Sequence, residues 1–550
     1  MKKPSNTFSQ KSITSIHSPA SITDIRNSAE LEIKVFPARL GFSLRWGEKN
    51  LLSQIDPATQ AEKAVAAVPV QSRTLYICPS PLFGYGLDRF LQQLPETSAI
   101  AAVEAEKPLF DWTAANINQN LKKNARFTLT FAKTPFTAAS KILGDFHPGR
   151  FRRAVMLTNS AAWQINAQFY KQTLDCIQNE IALEWGNAAT ITKLGRLYAR
   201  NTVRNLSLLA FCPNAGDLNF GRDSILVASA GPSLPATLEN ALSKGLLHRN
   251  SEEGTFTGER MRVVAVDTAL QTLAAYGIKP DLAVALEAQH WNIADFTGLS
   301  GKNIPLAMDI SALPRTAYVF EKPPYLFWTE WARLNFLERL KTQNVLPLQL
   351  PPLGSVGLTA YALARRLTAG RVICAGMDFS FVPCLYHCRD SPGHKKLLRE
   401  LNRLKSPYPL GSVYRKGAFW LSSGGGKACR SDPALERYRN SFSKLQAQEN
   451  NFFTRNALEQ KRLSGQERTA AVKNIVQEEK DRLNRLFDIL NMKTPPTSDL
   501  ERLINECDYL WAHFPECAGK DGWRPPITDG VFLKRVIMEI EPFLNLLNMR

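Results

Sequence analysis

The sequence predicts an α/β protein with a Rossmann-like N-terminal domain, a central doubly wound parallel-sheet domain and a C-terminal helical domain. Three observations lead there. Short apolar runs rich in β-branched residues alternate with helical spacing from Thr74 to Glu104 and again from Ser224 to Asp378, the βαβ rhythm of parallel sheets. Several of those runs end in an acid or a Gly-containing turn, at the strand ends where open sheets hold ligands. Beyond Asp432 the apolar residues recur at helical spacing over long stretches.

The 550 residues exceed what one core usually organises. The expected division is a flexible Ser- and Thr-rich tail over 1–30, an N-terminal domain with a helical connector over 31–218, a central domain over 219–432 and helices over 433–550. Hydrophobic residues at 44% and charged residues at 21% describe a globular chain rather than a disordered one.

In the N-terminal domain, Leu31–Phe36 reads as a strand and a helix follows Asp56-Pro57. Thr74–Cys78 and Ala99–Glu104 read as strands around a helix from Leu87 to Leu94, and Lys141–Arg204 reads as mainly helical. The loop after Cys78 contains Pro79 and Pro81 and lacks the G-x-G-x-x-G of a dinucleotide fingerprint.

In the central domain, strands are expected at Ser224–Ser229, Arg262–Asp267, Leu282–Glu287, Ile304–Met308 and Tyr325–Trp328, with a buried strand at Arg371–Gly376. Gly354-Ser355 opens a helix that runs through Leu367. The C-terminal helices are expected over Leu435–Leu463, Glu467–Leu490, Leu500–Phe514 and Val531–Leu547.

A net charge of +18 calls for an anionic partner or a diffuse positive surface. No basic run interleaved with aromatics, zinc-finger spacing or helix-turn-helix pattern points to nucleic acid. The nine cysteines are scattered and odd in number, which suits a reducing, cytoplasmic compartment better than a disulfide framework. The first thirty residues lack the apolar stretch of a signal peptide or membrane span, so no membrane insertion is expected.

Gly231-Pro232-Ser233 lies where a strand hands over to a helix, so its N–H groups can face an anion and the Ser233 hydroxyl can donate to it; alternatively, Ser233 simply caps the helix. Gly354-Ser355 repeats that arrangement. Asp267 and Glu287 end adjacent strands and Asp378 ends a later one, either as ligand-holding acids or as solvated turn residues or helix caps. Together these features describe a nucleotide crevice.

His387, in the loop beyond Asp378, is a candidate general base or an ordinary surface histidine. Cys384, His387, Cys388 and His394 do not have the spacing of a zinc site, and no metal is expected. Ser422–Lys427 departs from the phosphate-loop pattern at Leu421 and Ala428 and reads as a loop able to close over a ligand.

Ser229–Leu234, Ala265–Leu270, Gly277–Asp281, Gly354–Val356 and Ala375–Asp378 resemble, in order, the signature of the motility-associated-factor (Maf) flagellin glycosyltransferases. Leu52–Pro57 with Glu62, and Val103–Glu106, match further family positions. The resemblance implies transfer of a pseudaminic- or legionaminic-type nonulosonic acid from its CMP-activated form to Ser or Thr hydroxyls of flagellin, with no cofactor. It also implies a central domain similar to sialyltransferases, in which Gly231, Pro232 and Ser233 face the nucleotide.

The chain departs from the family pattern with Cys78-Pro79-Ser80-Pro81 after Ile77, with Glu287 where Asp is commoner, and with Met377 where Gln is frequent. The same central domain resembles 6-hydroxymethylpterin diphosphokinases, which would call for ATP and Mg²⁺ on Asp267, Glu287 and Asp378. A non-catalytic flagellin-binding scaffold, gripping its partner through the C-terminal helices, is the third reading.

Overall fold

The computed structural model describes residues 32–249, 261–382, 385–404, 417–421, 429–447, 463–517 and 525–548. The expected tail over 1–30, the Ser422–Lys427 loop and Cys384 lie outside the described residues. The chain forms two compact units, Met1–Leu183 and Glu184–Arg550.

The first unit opens with an antiparallel meander of β1 (Ile33–Pro37), β2 (Phe42–Trp46) and β3 (Lys49–Asn50). A parallel sheet follows, made of β4 (Thr74–Pro79), β5 (Ala99–Glu104), β6 (Phe127–Phe131) and β7 (Arg153–Met156) in the order β6-β5-β4-β7. Every residue of β4 and β5 is buried, as expected of apolar runs covered on both faces. The stretch read as mainly helical after Lys141 contains β7, a strand of four residues too short to leave a periodic signal.

Helix Ala167–Asn205 starts in this unit, and the boundary between the units falls within it.

The second unit is built on seven parallel strands: β8 (Ile225–Ala228), β9 (Arg262–Val266), β10 (Leu282–Ala285), β11 (Leu306–Asp309), β12 (Tyr325–Thr329), β13 (Leu348–Leu350) and β14 (Val372–Ala375). Their order is β13-β12-β11-β10-β9-β8-β14. The chain winds outward from β8 to β13, and helix Val356–Leu367 carries it back to lay β14 on the free side of β8. The winding direction therefore reverses between β8 and β14, the position where such sheets open a ligand crevice.

Strands β8, β10 and β11 are buried at every residue. The expected burial of β14 is corrected: it is the edge strand, and Ile373 is 41% exposed.

Helices Pro433–Ala447, Gly465–Leu490, Thr497–Glu506 and Gly530–Asn548 complete the second unit. Ser464 and Glu467 form a reciprocal capping box that starts the second of them. Val472, Leu483, Leu503, Val536 and Phe543 join the same continuous apolar core as the sheet residues Val264, Ala283 and Leu326. The core also holds a charged knot: Glu479 accepts from Arg339 at 2.9 and 3.1 Å, from Arg482 at 2.7 Å and from Tyr509 at 3.2 Å. A buried carboxylate needs this number of donors to offset its lost hydration.

Candidate functional site

Above the reversal point, two turns lock into each other. Gly231 N–H donates to Gly376 O at 2.8 Å, and Ser229 N–H donates to Ala375 O at 2.8 Å, so the ladder between β8 and β14 continues into both loops. A methyl group on Gly231 would lie 2.3 Å from Gly376 O and 2.5 Å from a carboxylate oxygen of Asp378. Glycine stands there because two backbones meet.

Asp378 closes the first turn. One of its oxygens accepts the Ser233 N–H at 2.8 Å, and the other accepts the Ser233 hydroxyl. Ser233 sits at the N-cap of helix Leu234–Ser243 without a side-chain capping bond, so its hydroxyl serves Asp378 rather than the helix. The expectation of free anion-facing donors at Gly231 and Ser233 is therefore corrected: Pro232 has no N–H, and the other two are taken by Gly376 O and by a carboxylate that occupies the anion position itself.

The free donors lie next door. Ser355 precedes helix Val356–Leu367 and makes no side-chain capping bond, which leaves the N–H groups of that first turn open. Ser229, only 6% exposed, has a hydroxyl with no partner among the described residues, and a methyl group built on Gly357 would come within 2.9 Å of it. An open helix start beside an orphaned buried hydroxyl suits an oxyanion. Gly354, at φ +70°, brings the chain under the ring of Tyr438, 3.3 Å from where a Cβ would stand.

The acids at the tips of β9 and β10 occupy two environments. Asp267 is buried and accepts from Thr268 N–H at 2.8 Å and from Asn292 Nδ2 at 2.8 Å. The same Asn292 amide donates to Asp295 at 3.0 Å. Burial pushes the Asp267 carboxyl up to about 6 against those hydrogen bonds. Burial, and then the charge of Asp267, push Asp295 up to about 7. Glu287 is half-buried, and its carboxylate accepts the Gln289 N–H at 3.0 Å.

Asn201 and Asn205, one turn apart on helix Ala167–Asn205, tie down the loops beyond β10 and β11. Asn201 Nδ2 donates to Ala288 O and Ser311 O at 3.1 and 3.2 Å; Asn205 Nδ2 donates to Ile310 O and Ala312 O, both at 2.9 Å. Tyr198, on the same helix, is within electrostatic reach of Glu287 and Tyr438.

His387 lies beside the first turn. Its imidazole bonds to the backbone of Ala230, and the following Cys388 N–H donates to Ala230 O at 2.8 Å. Burial lowers its pKa, with the Ala230 bond opposing, so the ring is neutral and able to accept a proton at neutral pH. Among the described residues, no three His, Cys, Asp or Glu side chains converge as metal ligands.

The sequence reading missed Ser229, Gly357, Asn292, Asp295, Tyr198 and Tyr438. Asn292 and Asp295 stand three residues apart on a 3-10 turn, a spacing that puts both on one face, but nothing in the sequence marks that turn as lying over Asp267.

The family model described as 6-hydroxymethylpterin diphosphokinase MptE-like matches residues 200–383, the stretch that contains β8 to β14. An uncharacterised protein of Treponema pallidum (strain Nichols) is 26% identical over 94% of this chain and 96% of its own length. The solved structure of a Maf glycosyltransferase from Magnetospirillum magneticum AMB-1 overlays on 92% of this chain and 90% of its own, with a TM-score of 0.50 and 11% identity. The chain thus has a fold similar to that of a Maf glycosyltransferase along nearly its whole length, with an MptE-like segment across the crevice.

Proposed function

We propose that the chain is a glycosyltransferase that moves a nonulosonic acid of the pseudaminic or legionaminic type from a CMP-activated donor to Ser or Thr hydroxyls of flagellin. The observation that carries this reading is the open helix start at Ser355 facing the orphaned Ser229 hydroxyl, in a crevice whose whole-chain fold resembles a Maf glycosyltransferase. Those donors would receive the phosphate of the departing CMP. Gly231, Pro232 and Ser233, held by Asp378, would form a rigid wall beside it.

In this reading the bond from the anomeric carbon to the phosphate oxygen breaks, CMP leaves with the electron pair, and the acceptor oxygen attacks the oxocarbenium-like sugar. The acceptor proton passes to neutral His387. Charge on the leaving phosphate is stabilised by donors already in place, the usual source of the largest catalytic term. The nine cysteines, scattered along the chain rather than spaced as a disulfide framework, suit a reducing, cytoplasmic setting. Among the described residues, no helix is long and apolar enough to cross a membrane.

The MptE-like match favours one second reading, an ATP-dependent diphosphokinase. The Mg²⁺ site it would need fits poorly, because Asp378 is spent on Ser233 and Asp267 on Thr268 and Asn292. Calorimetric titration of CMP and ATP, without metal and then with Mg²⁺, separates the two. Metal-independent CMP binding, weakened about tenfold or more in Ser355→Ala, is the expected result. A preference for Mg²⁺-ATP would replace the transferase with the kinase. His387→Ala should bind CMP as the wild type does and lose transfer by about 10²-fold or more; equal loss of both would remove His387 as the base.

A further inference from the structure

Away from the crevice, the second unit gathers more positive charge than it neutralises. Arg196, Arg200 and Arg204 follow one another at four-residue spacing on helix Ala167–Asn205, which puts all three guanidinium groups on one face. Helix Gly530–Asn548 brings Arg535, and the turn after Leu510 brings His513. The two segments approach closely: a methyl group on Gly195 would lie 3.1 Å from His513 Cβ.

Two carboxylates answer four arginines. Glu539 takes Arg196 Nε at 2.8 Å, and Glu516 takes Arg535, whose guanidinium also lies 3.8 Å from the Phe514 ring centroid. Arg200 shares the field of Glu539, already bonded to Arg196, and feels the charge of Arg204; neither Arg200 nor Arg204 has an ion pair of its own among the described residues. Arg200 Nε and His513 Nδ1 are both buried with no hydrogen-bond partner among the described residues. Burial and the charges of Arg196, Arg535 and Arg200 push the His513 pKa down to about 4, which shows that all three cations bear on one imidazole.

Cations near a helix C-terminus are favoured by its dipole, which accounts for Arg204 in the last turn. The dipole leaves the two orphaned ring and guanidinium nitrogens unexplained. A buried donor without a partner costs about 1–3 kcal/mol, and an oxyanion accepting from several guanidinium groups removes that cost and the mutual repulsion together.

We propose that Arg200, Arg204 and His513, flanked by Arg196 and Arg535, form a binding site for a tetrahedral oxyanion of the phosphate class, separate from the crevice. It does not depend on the transferase reading. The ligand is either free phosphate or the phosphate of a nucleotide, and the two sources are distinguishable.

The test is a calorimetric titration of inorganic phosphate into the full chain at constant ionic strength, with chloride as the balancing ion. Wild type, Arg200→Gln, Arg204→Gln and Ser355→Ala are compared. A phosphate site is expected that is weakened about tenfold or more in Arg200→Gln and severalfold in Arg204→Gln, whose exposed position makes it safe for folding. That site should persist in Ser355→Ala, which removes only phosphate bound at the crevice.

A second equivalent of CMP that is lost in Arg200→Gln would assign the site to nucleotide phosphate; a single CMP equivalent unchanged in Arg200→Gln would assign it to the free ion. Absence of phosphate binding in the wild type, equal binding in Arg200→Gln, or loss confined to Ser355→Ala would each overturn the proposal.

Discussion

A methyl group on Gly376 would stand 2.0 Å from the carbonyl oxygen of Ser229 and 2.9 Å from Leu234 Cβ, at a φ of +67° that L side chains avoid. Neither neighbour can give way without breaking the ladder between β8 and β14. Gly376→Ala should therefore cost about 3 kcal/mol or more, read as a lower urea midpoint, and a cost below about 1 kcal/mol would mean the two turns are looser than their geometry states. Asp295 makes the opposite case. Its carboxyl, pushed up to about 7, holds a proton in the folded chain that the unfolded chain releases near pH 4. Its contribution to stability is thus fully present below about pH 4 and is lost as pH rises through 7. Asp295→Asn should stabilise the protein at pH 8 by about 1–2 kcal/mol, allowing for screening at a half-exposed position, and by almost nothing at pH 4. Equal effects at the two pH values would contradict the account of burial and Asp267 charge.

Helix Ala167–Asn205 shows what an element does that its sequence does not announce. The stretch reads as a helical connector, yet Asn201 and Asn205 are 0% and 1% exposed and hold four loop carbonyls beyond β10 and β11. Asn201→Ala should cost about 1–3 kcal/mol by stranding two buried acceptors, and it should weaken CMP binding, because Ala288 adjoins Glu287. A variant as stable as the wild type, with unchanged CMP affinity, would reduce the helix to packing. The strands of both sheets were legible where apolar runs of four to six residues ended in turns, as at Thr74–Pro79, Ala99–Glu104 and Ile225–Ala228. Strands β6, β7 and β13 were not: Thr128 and Thr130 interrupt the apolar run of β6, β7 is a short run inside a stretch of helical spacing, and the three residues of β13 have no period to read. The strand-tip positions of Asp267, Glu287 and Asp378 followed from local pattern. The pairing of Asp378 with Ser233 did not: it joins residues 145 positions apart, and only the return of β14 to the side of β8 makes it.

At the scale of the molecule, the C-terminal helices belong to the crevice-bearing unit rather than to a separable module. Leu483 and Phe543 lie in one core with Val264 and Leu326, and each buried apolar side chain of this size contributes about 1.5–3 kcal/mol. Truncation after Asp432 would uncover that core, so it cannot isolate a partner-binding role for those helices. Ligand linkage offers a cleaner test. The two units have their own cores, and the crevice lies within Glu184–Arg550. A ligand that binds only the folded state stabilises it by RT ln(1 + [L]/Kd), about 2.7 kcal/mol at a hundredfold excess over Kd. Scanning calorimetry with CMP at that excess should raise the transition of Glu184–Arg550 by several degrees. The first unit has its own core around Tyr76 and Ile100, so a probe confined to Met1–Leu183, such as hydrogen exchange in β4 and β5, should report little added protection. Added protection confined to β4 and β5 instead would move the CMP site into the first unit and remove the crevice at Ser229 and Ser355 from the mechanism.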